Sequence, residues 1–173
     1  MKQTIILITI ILFFNACSIK YPHINLEKRT YDNIKVQKLA KDILSLSNKI
    51  NKKEALKASY DAIEYSKHLS NKFKVVSPAL FHNTLVNLNL KEKGFCYHYA
   101  NELQQYLNSK EFKTFKFIRI VSNRGEYFEH SSILLTRDDI SFENSFVLDA
   151  WRDSGELFWS KVKNDTKYKW EKK

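Results

Sequence analysis

Apolar residues recur through the first two thirds of the chain at alternating spacings of three and four. Val36, Leu39, Ile43, Leu46 and Ile50 form one face of an amphipathic helix over 31–50. Ala55, Ala58, Ala62, Tyr65 and Leu69 repeat the rhythm over 52–70, and their small side chains predict close packing. Ser77-Pro78 fits an N-cap followed by proline at the first helical position, and Leu80, Phe81, Leu85 and Leu88 predict the buried face of a third helix. Gly94 breaks the pattern. A fourth helix is predicted from about Cys96, with Ala100, Leu103 and Leu107 beneath it.

After Ser109 the period shortens. "TFKFIRIVS" (114–122) and "YFEHSSILLT" (127–136) are rich in β-branched and aromatic residues, and the turn signal Asn123-Arg124-Gly125-Glu126 between them predicts an antiparallel hairpin. Residues 137–144 read as a polar loop and "SFVLDAW" (145–151) as a third strand. The remainder holds a glycine turn, room for a short strand, and a basic tail with aromatics that reads as frayed. N-terminal helices followed by a small antiparallel sheet make the expected class α+β.

Composition narrows the chemistry. A chain of 173 residues, 43% apolar, is one domain with a real core. With only three glycines, Gly-rich phosphate loops are excluded. The net charge is +10, but the lysines are spread along the chain, which reads as a solvated basic surface rather than a nucleic-acid footprint.

The first residues alter the setting. Met1-Lys2, the apolar run "TIILITIILFF" and then Asn15-Ala16-Cys17 have the layout of a bacterial lipoprotein signal over 1–17. On that reading Cys17 becomes the lipid-bearing first residue of the mature protein. Residues 18–30 are then a tether, 31–173 the folded domain, and the location the cell envelope, facing the periplasm or the exterior, with the membrane held through the anchor. Cys96 is left as a thiol with no partner for an intramolecular disulfide. A free thiol in that compartment is exposed to oxidation, so its retention points to burial or use.

Use is favoured by its surroundings. Cys96 stands in the predicted first turn of a helix, where free N–H groups and aligned peptide dipoles stabilise a thiolate. Gly94 lets the backbone turn tightly and leaves room for a substrate. A thiolate nucleophile needs a base, and the base an orienter. His130 lies 34 residues on, in the middle of an apolar strand, and Asp149 a further 19 on, inside another. On adjacent antiparallel strands the imidazole can face the thiol with one nitrogen and the carboxylate with the other.

"GFCYHYANELQQYL", "EHSSILL" and "FVLDAW" resemble, in that order, the Cys, His and Asp segments of the transglutaminase-like branch of papain-like cysteine enzymes, over about residues 75–160. The resemblance implies a papain-like core, Cys96 as nucleophile, His130 as general base and then acid, and Asp149 as orienter. The activity it implies is acyl transfer through a thioester, which water resolves in a peptidase or amidase and an amine in a crosslinking acyltransferase; the location alone points to an envelope peptide or protein as substrate, and no cofactor is expected. Where many family members have an aromatic after the His, this chain has Ser131. The Cys96 backbone N–H is one oxyanion donor. Asn83, Asn87 and Tyr97 remain open as the side-chain donor.

Other constellations are weaker. Cys96-x-His98 does not fill a zinc shell, and His23, His68 and His82 read as surface residues. Trp151, Phe158, Trp159 and Trp170 read as closing the edge of the core, with a carbohydrate or peptide platform as the alternative. The competing functional class is a catalytically inactive envelope lipoprotein using the same scaffold to bind a protein or an anionic polymer.

Overall fold

In the computed structural model, which describes residues 33–173, the chain opens on a capped helix. The expected signal over 1–17, the lipidation site Cys17 and the tether over 18–30 lie outside the described residues. Asn33 Oδ1 accepts from Lys35 N at 2.8 Å and starts α1 (Ile34–Leu44). Val36, Leu39 and Ile43 are fully buried, as their spacing requires. The helix ends six residues before the predicted 50 because Ser45 caps it, its hydroxyl bonding the Asp42 carbonyl at 2.6 Å in competition with the next helical turn. Ile50 is buried all the same, from the connecting turn.

Asn51 caps α2 (Lys52–Lys72) with bonds to Lys53 N and Glu54 N. Two short connections lead through α3 (Ala79–Asn87) to α4 (Cys96–Asn108). Five strands follow: β1 (Lys116–Ser122), β2 (His130–Thr136), β3 (Phe146–Asp153), β4 (Glu156–Lys161) and β5 (Glu171–Lys172). They form one antiparallel sheet in the order β4-β3-β2-β1-β5. The described residues are therefore α+β, helices first and sheet after. Helix α4 packs against β1, β2, β3 and α2. Leu103 and Leu107 of α4 join Leu39, Ile63, Leu69, Ile133, Leu135 and Leu148 in the main core. No helix among the described residues is long and apolar enough to cross a membrane.

Three further changes to the sequence expectations shape the surroundings of the site. The second strand begins at His130 rather than Tyr127, so the histidine opens β2 instead of sitting in its middle. Helix α3 is capped by Pro78, not Ser77, and is turned from its predicted face: Ala79, His82 and Val86 are buried, while Leu80, Phe81 and Leu88 are exposed. His82, expected on the surface, is what turns it. Its Nδ1 accepts from Val76 N at 3.2 Å and its Nε2 donates to Lys93 O at 2.9 Å, so a completely buried imidazole staples both flanks of the helix. The third change is the C-terminal tail, which is docked rather than frayed. β5 pairs with β1, and Trp170 is buried against Ile120, Leu134 and Val147. Trp151 is likewise buried, and Trp159 donates to Asp42 Oδ2 at 2.9 Å, joining β4 to α1. These aromatics close the core and do not form an open platform.

Gly94 follows from His82. Its φ is +134°, and a Cβ there would stand 2.2 Å from His82 Nε2. The space that glycine leaves belongs to the buried imidazole, not to a substrate. Gly94→Ala should therefore lower the unfolding free energy by about 1–3 kcal/mol, the usual cost of a residue forced into such a backbone region. Urea denaturation tests this, and an unchanged midpoint would show that the Gly94 turn is not held as described.

Candidate active site

Cys96 is the first residue of α4, half-buried, and the one free cysteine among the described residues. The loop before it is held from within the helix. His98 Nδ1 accepts from Gly94 N at 3.1 Å and from Phe95 N at 3.2 Å. Burial, helped by Lys93, lowers the His98 pKa and keeps the ring neutral, as an acceptor must be. The Cys96 N–H belongs to the first turn, where no intrahelical partner exists.

The sulfur reaches the start of β2. Its thiol is directed at the Glu129 carbonyl oxygen, 3.8 Å away, and it is near enough to the adjoining His130 ring to raise that group's pKa. On its other side His130 Nε2 meets Asp149 Oδ2 at 2.7 Å, with both side chains buried. A carboxylate only accepts, so Nε2 carries a proton and Nδ1 is left for the sulfur. The structure thus brings together the three residues expected from sequence, from the ends of one helix and one strand and the middle of another. Antiparallel pairing of β2 with β3 prepares the His–Asp contact: Ile133 stands opposite Leu148, and that register carried on puts Asp149 opposite Ser132, on the same side of the sheet as His130 and diagonal to it.

Burial penalises a charged His130, but the Asp149 charge and hydrogen bond, with help from Cys96, outweigh it and push the pKa up to about 9. The imidazolium form therefore prevails at neutral pH. Asp149 is held ionised. Burial would raise its pKa, but His130 and Arg152 bring it below the usual carboxylate range. Its Oδ1 accepts from Trp151 N at 3.1 Å and Arg152 N at 3.2 Å, and its Oδ2 also accepts from Arg152 Nε at 3.1 Å.

Arg152 extends the chain of charges and was not visible as a site residue in sequence. Its guanidinium grips Asp165 through two bonds of 3.2 and 2.6 Å and lies 3.7 Å from the Phe158 ring centroid. Asp165 in turn accepts from Trp170 Nε1 at 2.8 Å. Tyr168, Trp151 and Trp170 surround the His130 ring, with centroids 4.3, 4.9 and 5.3 Å away. The basic tail thus forms one wall of the site. Arg119 was missed as well. It bonds Asn101 Oδ1 at 2.9 Å, and it feels the charges of Cys96 and Glu129 while burial draws its own pKa down. One sequence signal for it exists: it is a charged residue set between Ile118 and Ile120 in the run "FIRIV".

Cys96 opens onto a cleft of about 730 Å³ whose walls include Leu80, Asn83, Phe95, Tyr127 and Phe128. Leu80, Tyr127 and Phe128 are among the most exposed large apolar residues of the described chain. The exposed face of α3 is therefore a wall of this cleft. Among the described residues no group of His, Cys, Asp and Glu side chains is arranged to hold a metal ion. No protein-family model matches the chain, and no curated protein or solved structure matches it significantly.

Removing one partner of a buried charge pair costs about 3–5 kcal/mol, so Asp149→Asn should destabilise the protein on that scale at neutral pH. The sign of its pH dependence follows from His130. Its folded pKa of about 9 lies above its ordinary 6.5, so the pairing stabilises fully below about pH 6.5 and fades as pH rises through about 9. The stability gap between wild type and Asp149→Asn should accordingly narrow between those limits in chemical denaturation. A gap that widens there would contradict the assignment of charge.

Proposed function

We propose that this protein is an envelope-anchored, transglutaminase-like cysteine hydrolase with a papain-like core, acting on amide bonds of peptides or proteins. The observation that carries the reading is the buried His130–Asp149 pair beside Cys96, with the sulfur at the mouth of a cleft. The anchor through Cys17 belongs to the same proposal and rests on sequence alone.

In this reading the Cys96 thiol first gives its proton to His130, and the resulting thiolate attacks the carbonyl carbon of the scissile amide, forming a C–S bond as the C=O π pair moves onto oxygen to give a tetrahedral oxyanion. Collapse breaks the C–N bond, and His130, carrying its proton at neutral pH, delivers it from Nδ1 to the departing amine. The product is a thioester on Cys96. His130, now neutral, takes a proton from the incoming water as the water oxygen bonds to the acyl carbon, and the sulfur leaves. Asp149 keeps the imidazole oriented and supports its charge throughout. An amine in place of water would yield a crosslink; water is the default acceptor in this reading. Leu80, Phe95, Tyr127 and Phe128 give the cleft apolar and aromatic walls, which suit a substrate with a bulky apolar residue on the acyl side.

The test uses a small activated ester, p-nitrophenyl acetate, and intact-protein mass spectrometry. The wild type should show a burst of p-nitrophenol and one acetyl group on Cys96. Cys96→Ala should show neither while keeping its fold, and His130→Ala should be slower by about 10²–10⁴-fold. A wild-type thiol that is no more readily acetylated than in His130→Ala would leave a binding scaffold, not an enzyme.

A further inference from the structure

The Cys96–His130–Asp149 series leaves one part of acyl transfer unassigned. The oxyanion that forms when sulfur adds to a carbonyl needs hydrogen-bond donors already in place. The Cys96 N–H, in the first turn of α4 and without a hydrogen-bond partner among the described residues, is one. Asn83, Asn87 and Tyr97 all stand on the walls of the same cleft, and they differ in how they are held.

Asn83 alone of the three is tied to the triad. Trp151 Nε1 lies 3.3 Å from Asn83 Oδ1. An indole N–H donates and never accepts, which fixes the amide: Oδ1 must face Trp151, and Nδ2 is the end left for the cleft. The indole cannot drift. Trp151 is buried, its own backbone N–H donates to Asp149 Oδ1 at 3.1 Å, and its ring packs on His130 with centroids 4.9 Å apart. A single residue therefore orients both the carboxylate behind the imidazole and the amide across the cleft. The placement of α3 contributes too, because the buried His82 one residue earlier fixes the rotation of the helix that leaves Asn83 lining the same cleft as Cys96.

We infer that Asn83 Nδ2 and the Cys96 backbone N–H form the oxyanion hole of this site, with Trp151 as the positioning residue that aims the Asn83 amide. The inference rests on the reading of Cys96 as an acyl-transfer nucleophile and assigns the donor that reading requires.

Two reactions of the same sulfur separate this role from a structural one. Acetylation by p-nitrophenyl acetate passes through a tetrahedral oxyanion. Alkylation by iodoacetamide displaces iodide from carbon and builds none. Asn83→Ala should slow acetylation of Cys96 by about tenfold or more, toward the roughly 10²–10³-fold loss typical of a removed oxyanion donor, while iodoacetamide alkylation stays within about twofold. Asn83→Asp, which keeps the acceptor that Trp151 needs and removes the donor, should lower the same ratio of rates. Trp151→Phe, which removes only the indole N–H, should lower it by a smaller factor. If both reactions slow equally, Asn83 supports the thiol or the fold and the assignment is overturned. Unchanged acetylation in Asn83→Asp overturns it as well. A wild type that alkylates but never acetylates removes the acyl-transfer reading itself, and the oxyanion hole with it.

Discussion

A charged imidazole inside a protein is costly unless an anion is held beside it, and the His130–Asp149 contact of 2.7 Å meets that condition. The carboxylate in turn is buried and is held by Arg152, which is held by Asp165, which is held by Trp170. From the imidazole outward the charges alternate in sign. Each member keeps its neighbour ionised, so the pKa of His130 rises and those of Asp149 and Asp165 fall. The charge poised at the sulfur thus depends on a network reaching to the last few residues of the chain.

The fold delivers this network by ordinary packing. Leu103 and Leu107 sink α4 into the core, which places the helix's first residue at the end of the sheet. There β2 begins with His130, and the register of β2 on β3 sets Asp149 within reach of it. The C-terminal segment returns to pair with β1 and folds Tyr168 and Trp170 over the imidazole. What remains open is the side toward α3, where exposed Leu80 and half-buried Asn83 face Cys96 across the cleft.

Much of this was readable from the chain because the signals were periodic or chemically improbable. The helical spacings of α1, α2 and α4 state which faces are buried, and a histidine or aspartate among Ile, Val and Leu is an anomaly that asks for a reason. The failures are equally physical. The α3 stripe of Leu80, Phe81 and Leu88 was assigned to the core because apolar residues usually go there; a buried His82 with two backbone partners outweighed it. Gly94 reads in sequence as room for a substrate, whereas the space is filled by that same histidine. The tail looked frayed because lysines dominate it, yet two aromatics and one aspartate decide its position. Arg152 and Asp165 carry no local pattern; only the return of the chain puts them side by side.

The central claim is that Asp149 and the sulfur keep His130 protonated at neutral pH. Titration of the His130 ring nitrogens by ¹⁵N NMR measures this directly. The predicted result is a ring with both nitrogens protonated at pH 7 and a midpoint at about 9. A midpoint at or below the ordinary histidine value of about 6.5 would contradict it, and would leave the three side chains as neighbours without the charge that the proposed chemistry needs.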